Sequence, residues 1–344
     1  MADSVHGGVD SGRAGTIERR LLLGLLIALL VQAVFVFSYV GALHSPTPHR
    51  VALGVVGSPA MPAAVGKSFS LKTVPYPSQA AALHAIDERK VVGALVVSPA
   101  GVRLFVVPAA GPSAASALGA AFGAAAVAFH QKIEIVQVHP LPKGDAAGIV
   151  SFLLTMALVV GGYLTATMAM VFGGPSTPRG RAAALCVVAA LGALVTATIA
   201  GPVLGAIPES KFLVLWALFI LVMAAVALAT SALQTLLGPP GTLIVVVVFV
   251  IFGAPAAGGS VPAAFLPGFW RTIGPYLPAG AGTTAIRNTL YFDGNAITHA
   301  LIVLTAYLLA GAVVMATVRK RRSADPPEAE AEAAGAAAAS AVVM

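Results

Sequence analysis

The residues of this chain that could do chemistry are few, and most resolve into something plainer. Gly66-Lys67-Ser68 reads like the end of a phosphate-binding loop, in which backbone amides and a lysine cradle phosphates. The full pattern also needs a glycine five positions before Gly66. Met61 stands there, so an ordinary loop is the simpler reading. Asp87-Glu88-Arg89-Lys90 sets two carboxylates beside two cations. Adjacent residues on a helix do not face each other, and cations suit a helix C-terminus. The run is therefore read as a solvated helix end, not an acid/base pair. The histidines lack ligand spacing, and a single cysteine, Cys186, excludes an intrachain disulfide or a cysteine cluster. The sequence contains no Ser/His/Asp elbow, zinc-protease helix or Gly-rich nucleotide fold. The expectation is a protein that is not an enzyme, with no catalytic residue, metal site or cofactor.

What remains is hydroxyl and amide. Gln32, Ser151, Thr155, Tyr163, Thr165, Thr167, Thr196, Thr198, Thr230, Ser231 and Gln234 all fall inside long apolar runs that hold no Asp, Glu, Lys, Arg or His. Carriers driven by protons or ions bind the driving ion at an ionisable residue at membrane depth, which points away from a self-powered carrier. Thr155, Tyr163, Thr167 and Gln234 are the candidates for a polar path suited to a lipid-like substrate. The plainer alternative is hydrogen bonding between helices, worth up to about 2 kcal/mol each. A second group of interest lies in Pro262–Asn295, where Phe265-Leu266-Pro267-Gly268-Phe269-Trp270-Arg271 is followed by Ile273-Gly274-Pro275-Tyr276-Leu277-Pro278. Aromatic rings, arginines and helix-breaking prolines suit a segment at headgroup depth. Trp270, Arg271, Tyr276 and Arg287 are the candidate lipid-headgroup contacts, with snorkelling without a ligand as the alternative.

The elements that would position these groups are set by hydrophobicity. Of 344 residues, 58% are hydrophobic and only 10% charged, against roughly 25% charged in soluble domains. The excess of 20 Lys+Arg over 13 Asp+Glu, a net +7, lies largely beside the apolar runs. It therefore reads as membrane topology and contact with anionic lipid, with no nucleic acid implied. Crossing a bilayer as a helix takes roughly 20 apolar residues. The spans are predicted at Leu21–Leu43, Ile149–Phe172, Ala182–Ile207, Phe212–Leu237, Thr242–Gly258 and Ala300–Val318. The first is longer than a signal-peptide core and is taken as an uncleaved anchor. The fifth is the weakest, because its strongly apolar part is Leu243–Phe252 and Gly-Pro-Pro precedes it, so a re-entrant segment is the alternative. Arg13, Arg19 and Arg20, then Arg179 and Arg181, then Arg319, Lys320, Arg321 and Arg322 share one side only if the fifth segment crosses. Six spans with both termini cytoplasmic follow. Small residues at Gly161-Gly162, Gly173-Gly174, Gly201 and Gly205 permit close helix approach within a packed bundle or at a dimer face.

Residues 44–147 read as an α/β domain outside the membrane. Its predicted strands are Val51–Val56, Phe69–Val74, Val91–Val97, Val102–Val107 and Ile133–Val138. Ser78 caps a helix running to about Lys90, the turn Ser98-Pro99-Ala100-Gly101 signals a hairpin, and an Ala-rich helix runs from about Ser113 to Gln131. The domain plan is thus a cytoplasmic arm at 1–20, a first transmembrane helix at 21–43 and the extracytoplasmic domain at 44–147. A five-helix transmembrane bundle follows at 148–318, with an outer aromatic/Pro connector at 259–299. The Ala/Glu/Pro-rich tail at 319–344 is expected to be disordered and cytoplasmic. The fold class is a polytopic α-helical membrane protein, with six transmembrane helices and the α/β domain inserted between the first two.

Three stretches carry a resemblance to a known family. They are Glu88-Arg89-Lys90-Val91-Val92-Gly93-Ala94-Leu95-Val96-Val97; Pro140-Leu141-Pro142-Lys143-Gly144-Asp145 with Gly148 and Gly161-Gly162-Tyr163; and Leu277-Pro278-Ala279-Gly280 with Ala285-Ile286-Arg287-Asn288. In these stretches and in the order of its parts, the chain resembles permease subunits of type-2 ABC exporters, in particular the phage-infection-protein (YhgE/Pip) branch. The resemblance implies a multi-pass subunit of the bacterial plasma membrane, homodimeric or heterodimeric, that moves an amphipathic or lipid-like substrate. A separate ATP-binding subunit would power it, with Arg179 and Arg181 in the candidate ATPase-coupling loop. The alternative is a non-transporting membrane receptor or assembly protein that displays the outer domain.

Overall fold

A computed structural model describes residues 8–324 except Ser68, Ala100, Gly174, Ser176 and Ser260; at 8–18, 20, 21, 239 and 318–324 it describes backbone only. The tail expected to be disordered lies outside the described residues from 325 onward, as does Ser68 of the Gly-Lys-Ser loop. The elements run α1 (Gly8–Leu43), β1 (Val51–Val56), α2 (Ala60–Val65), β2 (Leu71–Pro75), α3 (Gln79–Asp87), β3 (Gly93–Ser98), β4 (Gly101–Val106), α4 (Pro112–Ala128) and β5 (Ile133–Gln137). Next come α5 (Val150–Val171), α6 (Pro178–Thr198), α7 (Phe212–Leu237), α8 (Pro239–Val245), α9 (Gly253–Ala257), α10 (Gly268–Ile273), α11 (Pro278–Tyr291) and α12 (Thr298–Ala324). The arm read as a separate segment is helical from Gly8, continuous with the first span.

Among the described residues, six helices are long and apolar enough to cross a membrane: Leu22–Leu43, Val150–Val171, Pro178–Val203, Glu209–Leu237, Pro240–Ala257 and Thr298–Thr317. By that measure this is a multi-pass α-helical membrane protein. The fifth, only 18 residues long, joins α8 to α9 through a π-helical stretch at Val246–Phe252. The chain divides into two compact units. One is built from the chain up to Phe152 with Val246–Ala296, the other from Leu153–Val245 with the chain from Ile297.

The first unit contains a five-stranded sheet in the order β2-β1-β3-β4-β5. β1 pairs in parallel with β2 and β3, β3 and β4 form the antiparallel hairpin, and β5 adds in parallel to β4. Side chains alternate across a strand with a period of two, and the sheet uses both faces. Val51, Leu53, Leu95, Leu104 and Val106 point to a core closed by α2 and α4, where Leu118 and Phe122 are fully buried. Ala94, Val96 and Phe105 point to the opposite core, closed by Ala82, Ala85 and Ile86 of α3. Ser78 caps α3 by accepting a hydrogen bond from Ala81 N at 3.2 Å.

Both cores recruit the connector. Phe265 enters the first, edge-on to Phe69 with ring centroids 6.0 Å apart, and Phe292 enters the second. His49 N donates to Ala264 O at 2.8 Å. The 259–299 segment, expected to lie in the headgroup layer, is largely interior to this unit. Burying two aromatic rings against a sheet gains more than leaving them half-wet, because each removes up to about 150–250 Å² of surface from water. The end of α1 joins the same unit, with Ala42 packed beside Ala256, Leu266, Trp270 and Leu277, and Ser38 Oγ donating to Ile251 O.

In the second unit α7 is the axis. Its residues from Val222 to Ala232 are buried without a break, as expected of a helix that neighbours surround. Glycines on those neighbours allow the approach. A Cβ at Gly162 of α5 would stand 2.7 Å from Met223 O, and one at Gly311 of α12 would stand 2.6 Å from the carbonyl carbon of Leu228. Trp216 of α7 anchors α6 by donating its indole N–H to Ala190 O at 3.2 Å.

Two glycine replacements should give opposite results in thermal unfolding of the detergent-solubilised protein. A Cβ at Gly280 would collide with the Gly274 carbonyl, whereas Gly123, inside α4, faces open space. Gly280→Ala should cost about 1–3 kcal/mol, while Gly123→Ala should stabilise by roughly 0.5–1 kcal/mol. Equal midpoints for the two variants would contradict this packing.

Candidate functional site

A buried polar joint forms where three sequence-distant stretches meet in the first unit. Its centre is Asp145, 3% exposed, on a short turn just before α5. One carboxylate oxygen accepts hydrogen bonds from Ile149 N at 2.8 Å and Val150 N at 3.1 Å. A carboxylate there satisfies orphan amides and complements the positive end of the helix dipole. The other oxygen accepts the Tyr291 hydroxyl at 2.5 Å. Burial, then the hydrogen bond to Asp145, push the Tyr291 phenol far above its ordinary value, so it remains a donor at physiological pH. One turn back on α11, the buried Arg287 donates Nη2 to Gly259 O. Burial lowers the pKa of its guanidinium, while the neighbouring Tyr291 and Asp145 act in the opposite sense.

Arg89 closes the other side of the joint. The chain leaves α3 with Lys90 N bonded to Ala85 O and Arg89 N to Ile86 O, both at 2.9 Å, and Arg89 at φ 63. This is the left-handed exit that glycine usually fills, so the arginine is there at a backbone cost. In return, its guanidinium lies 4.2 Å from the centroid of the Phe292 ring, a cation–π distance. Burial and the nearby Arg287 depress its pKa to about 10, leaving it charged at neutral pH. His139 Nε2 lies 2.8 Å from Asp87 Oδ1, and its ring centroid is 4.8 Å from that of Phe292. Asn295 Nδ2 donates to Asp87 O at 3.1 Å. The Asp87–Lys90 run is thus only partly a solvated helix end. Glu88 and Lys90 pair at the surface at 2.6 Å, while Arg89 turns inward. The joint fastens the end of α3, the start of α5 and the end of α11 together. Its carboxylate accepts three hydrogen bonds that hold these stretches in place.

The four candidate headgroup contacts separate. Trp270 is buried among Ala42, Ala256, Leu266 and Leu277, with its ring centroid 4.8 Å from that of Phe269 and 5.7 Å from that of Phe252. Arg287 is buried in the joint. The structure thus places these two candidate headgroup contacts in the interior of the first unit. A large ring gains most in a packed core, and a guanidinium can be buried when a carbonyl and a carboxylate attend it. Arg271 is half-buried and Tyr276 exposed.

The polar-path candidates all lie in the second unit. Gln234 Nε2 donates to Thr167 Oγ1 at 3.0 Å and Thr242 Oγ1 at 2.9 Å, and Thr167 in turn donates to Tyr163 O at 2.8 Å. That links Tyr163, Thr167 and Gln234 into one chain. Thr155 is buried on α5 about 18 Å from Thr167 along the helix axis, outside that chain. Thr165 and Thr196 bond back to carbonyls of their own helices at Gly161 and Gly192. On α7 itself, Thr230 Oγ1, Ser231 Oγ and Gln234 Oε1 are buried with no hydrogen-bond partner among the described residues. Their spacing sets them along one helix stripe. At the candidate coupling loop Thr177 caps α6 by accepting Gly180 N at 3.1 Å, Arg179 is exposed and Arg181 is half-buried.

Asp145, Tyr291, His139 and Phe292 were not expected as site residues. Asp145 had a local signal, a capping carboxylate just before an apolar run. The others had none, since only the tertiary fold brings them together. Among the described residues no cluster of three or more His, Cys, Asp or Glu could hold a metal ion.

Residues 181–313 match a family described as "Protein of unknown function (DUF3533)". The match runs from the first turn of α6 into α12, so it takes in α7, the connector and Arg287 and Tyr291, and excludes the sheet. No curated protein matches the chain, and no solved structure does.

A double-mutant cycle tests the joint. Tyr291→Phe should cost about 1–3 kcal/mol by depriving a buried carboxylate of a donor. Asp145→Ala should cost more, because it also removes the α5 cap. Combining them should be less damaging than the sum by at least about 1 kcal/mol; strict additivity would mean that the hydrogen bond carries no coupling.

Proposed function

We propose that this chain is the permease-like transmembrane subunit of an ABC-type exporter that moves an amphipathic or lipid-like substrate, with a separate ATPase as its motor. The observation that carries the reading is the joint. Arg89, Asp145 and Arg287 come from the three stretches on which the resemblance to type-2 ABC exporter permeases rests, and Arg287 lies close enough to feel the charges of both the buried Asp145 and Arg89. A device that ties a sheet domain and a connector to the first turn of α5 suits a protein that transmits motion generated elsewhere. The unpaired oxygens of Thr230, Ser231 and Gln234 support the same reading. They offer uncharged hydrogen-bonding groups inside an apolar bundle, suited to the polar part of a mostly apolar molecule. In this scheme the termini and the Arg179–Arg181 segment face the cytoplasm, the sheet domain lies outside, and the subunit works as a dimer in a bacterial plasma membrane.

Affinity purification from its own membranes should recover an ATP-binding protein, and loss of that protein should abolish export. Efflux that persists without it and stops when the proton gradient is dissipated would overturn the proposal. Export-independent function restored by the sheet domain and connector on an unrelated anchor would point to the receptor reading instead. The orientation has its own measurement. A cysteine replacing Lys67 should react with an impermeant maleimide on intact cells, whereas one replacing Thr177 should react only after permeabilisation.

A further inference from the structure

We infer that the second unit carries a binding site for an anionic phospholipid, in a cleft between the end of α5 and the start of α6. The cleft is about 470 Å³, and its walls include Leu164, Met168, Phe172, Leu185 and Val188, with Arg181 the only charged residue lining it among the described residues. Leu164, Met168, Phe172 and Val188 are exposed; Leu164, Met168 and Val188 lie on helices long and apolar enough to span a membrane, and Phe172 directly follows α5. Hydrocarbon is therefore the medium that these side chains face. Arg181 stands at the first turn of α6, where the span meets the interface. An arginine at that depth keeps its charged head at the headgroup layer while its stem runs along apolar surface. The guanidinium presents paired donors that match a phosphate bidentately. An apolar trough with one cation at its interfacial end is thus complementary to a phospholipid, with the acyl chain along α5 and α6 and the phosphate at Arg181. Basic pockets between membrane helices hold acidic headgroups by this chemistry. Net negative charge on the lipid decides between occupants, since a zwitterionic headgroup brings its own cation. The site is independent of any transport activity, because it depends only on residence in a bilayer.

The test uses the full chain in nanodiscs of phosphatidylcholine containing a minor fraction of phosphatidylglycerol. Lipids retained after extraction are counted by native mass spectrometry. The wild-type protein should retain phosphatidylglycerol in preference to phosphatidylcholine. Arg181→Gln should weaken that preference about tenfold, the scale of one lost charge-assisted contact, and Arg181→Lys should restore part of it. Ala184→Phe, which fills the cleft beside Leu185 and Val188, should lower retention of both lipids. Arg179→Gln removes an exposed cation that does not line the cleft and should change the preference less than twofold. Equal losses for Arg179→Gln and Arg181→Gln would replace the site with diffuse surface charge. An unchanged preference in both Arg181→Gln and Ala184→Phe would overturn it, as would a wild-type dimer whose contact occludes the cleft.

Discussion

Helices solvated by hydrocarbon gain nothing by hiding leucine from lipid, so they can be held together only by contact distance and polar bonds. The second unit is built on that constraint. Glycines on α5 and α12 let the backbones of both helices come up against α7, and dispersion between closely packed atoms takes the place of the hydrophobic effect. A few polar groups finish the job. Gln234 donates both amide hydrogens, to Thr167 and Thr242, while its carbonyl oxygen and the hydroxyls of Thr230 and Ser231 have no partner among the described residues. In a medium without water, such oxygens are costly. A helix that keeps three on one stripe departs from the economy of the rest of the bundle.

The sheet domain obeys the opposite rule. Its strands alternate so that one set of side chains meets α2 and α4 and the other meets α3, and exclusion of water drives both cores. Polar chemistry enters where this domain hands the chain on to α5. There Asp145, Tyr291, Arg287 and Arg89 form a compact set in which charge is buried but attended. The one residue in a left-handed backbone conformation among these four, Arg89, is repaid by the face of Phe292.

Much of this was legible in the residues. The apolar runs sit where the long helices are, with ends shifted by a few residues. The strands predicted at 51–56 and 102–107 lie on β1 and β4, and Ser78 is the cap its position suggests. The short helix Ala60–Val65 was hidden, because Pro-flanked six-residue helices have no periodicity to reveal them. The burial of the connector was not legible, for a physical reason. Aromatic rings beside proline and arginine have the same composition whether they lie among headgroups or are folded into a domain, and only the pairing of Phe265 with Phe69 and of Phe292 with Arg89 tells the two apart. Local pattern identifies Asp145 as a cap, but its second bond reaches a tyrosine 146 positions later, beyond any window of local reading.

That the connector supplies an aromatic ring to each face of the sheet sets an order on biosynthesis. Strands, helices and the intervening spans emerge from the ribosome well before Phe265 and Phe292 do. Until then each core lacks one of its aromatic side chains, and Asp145 lacks its phenol. The sheet domain is therefore completed by a segment translated after four further apolar helices and before α12.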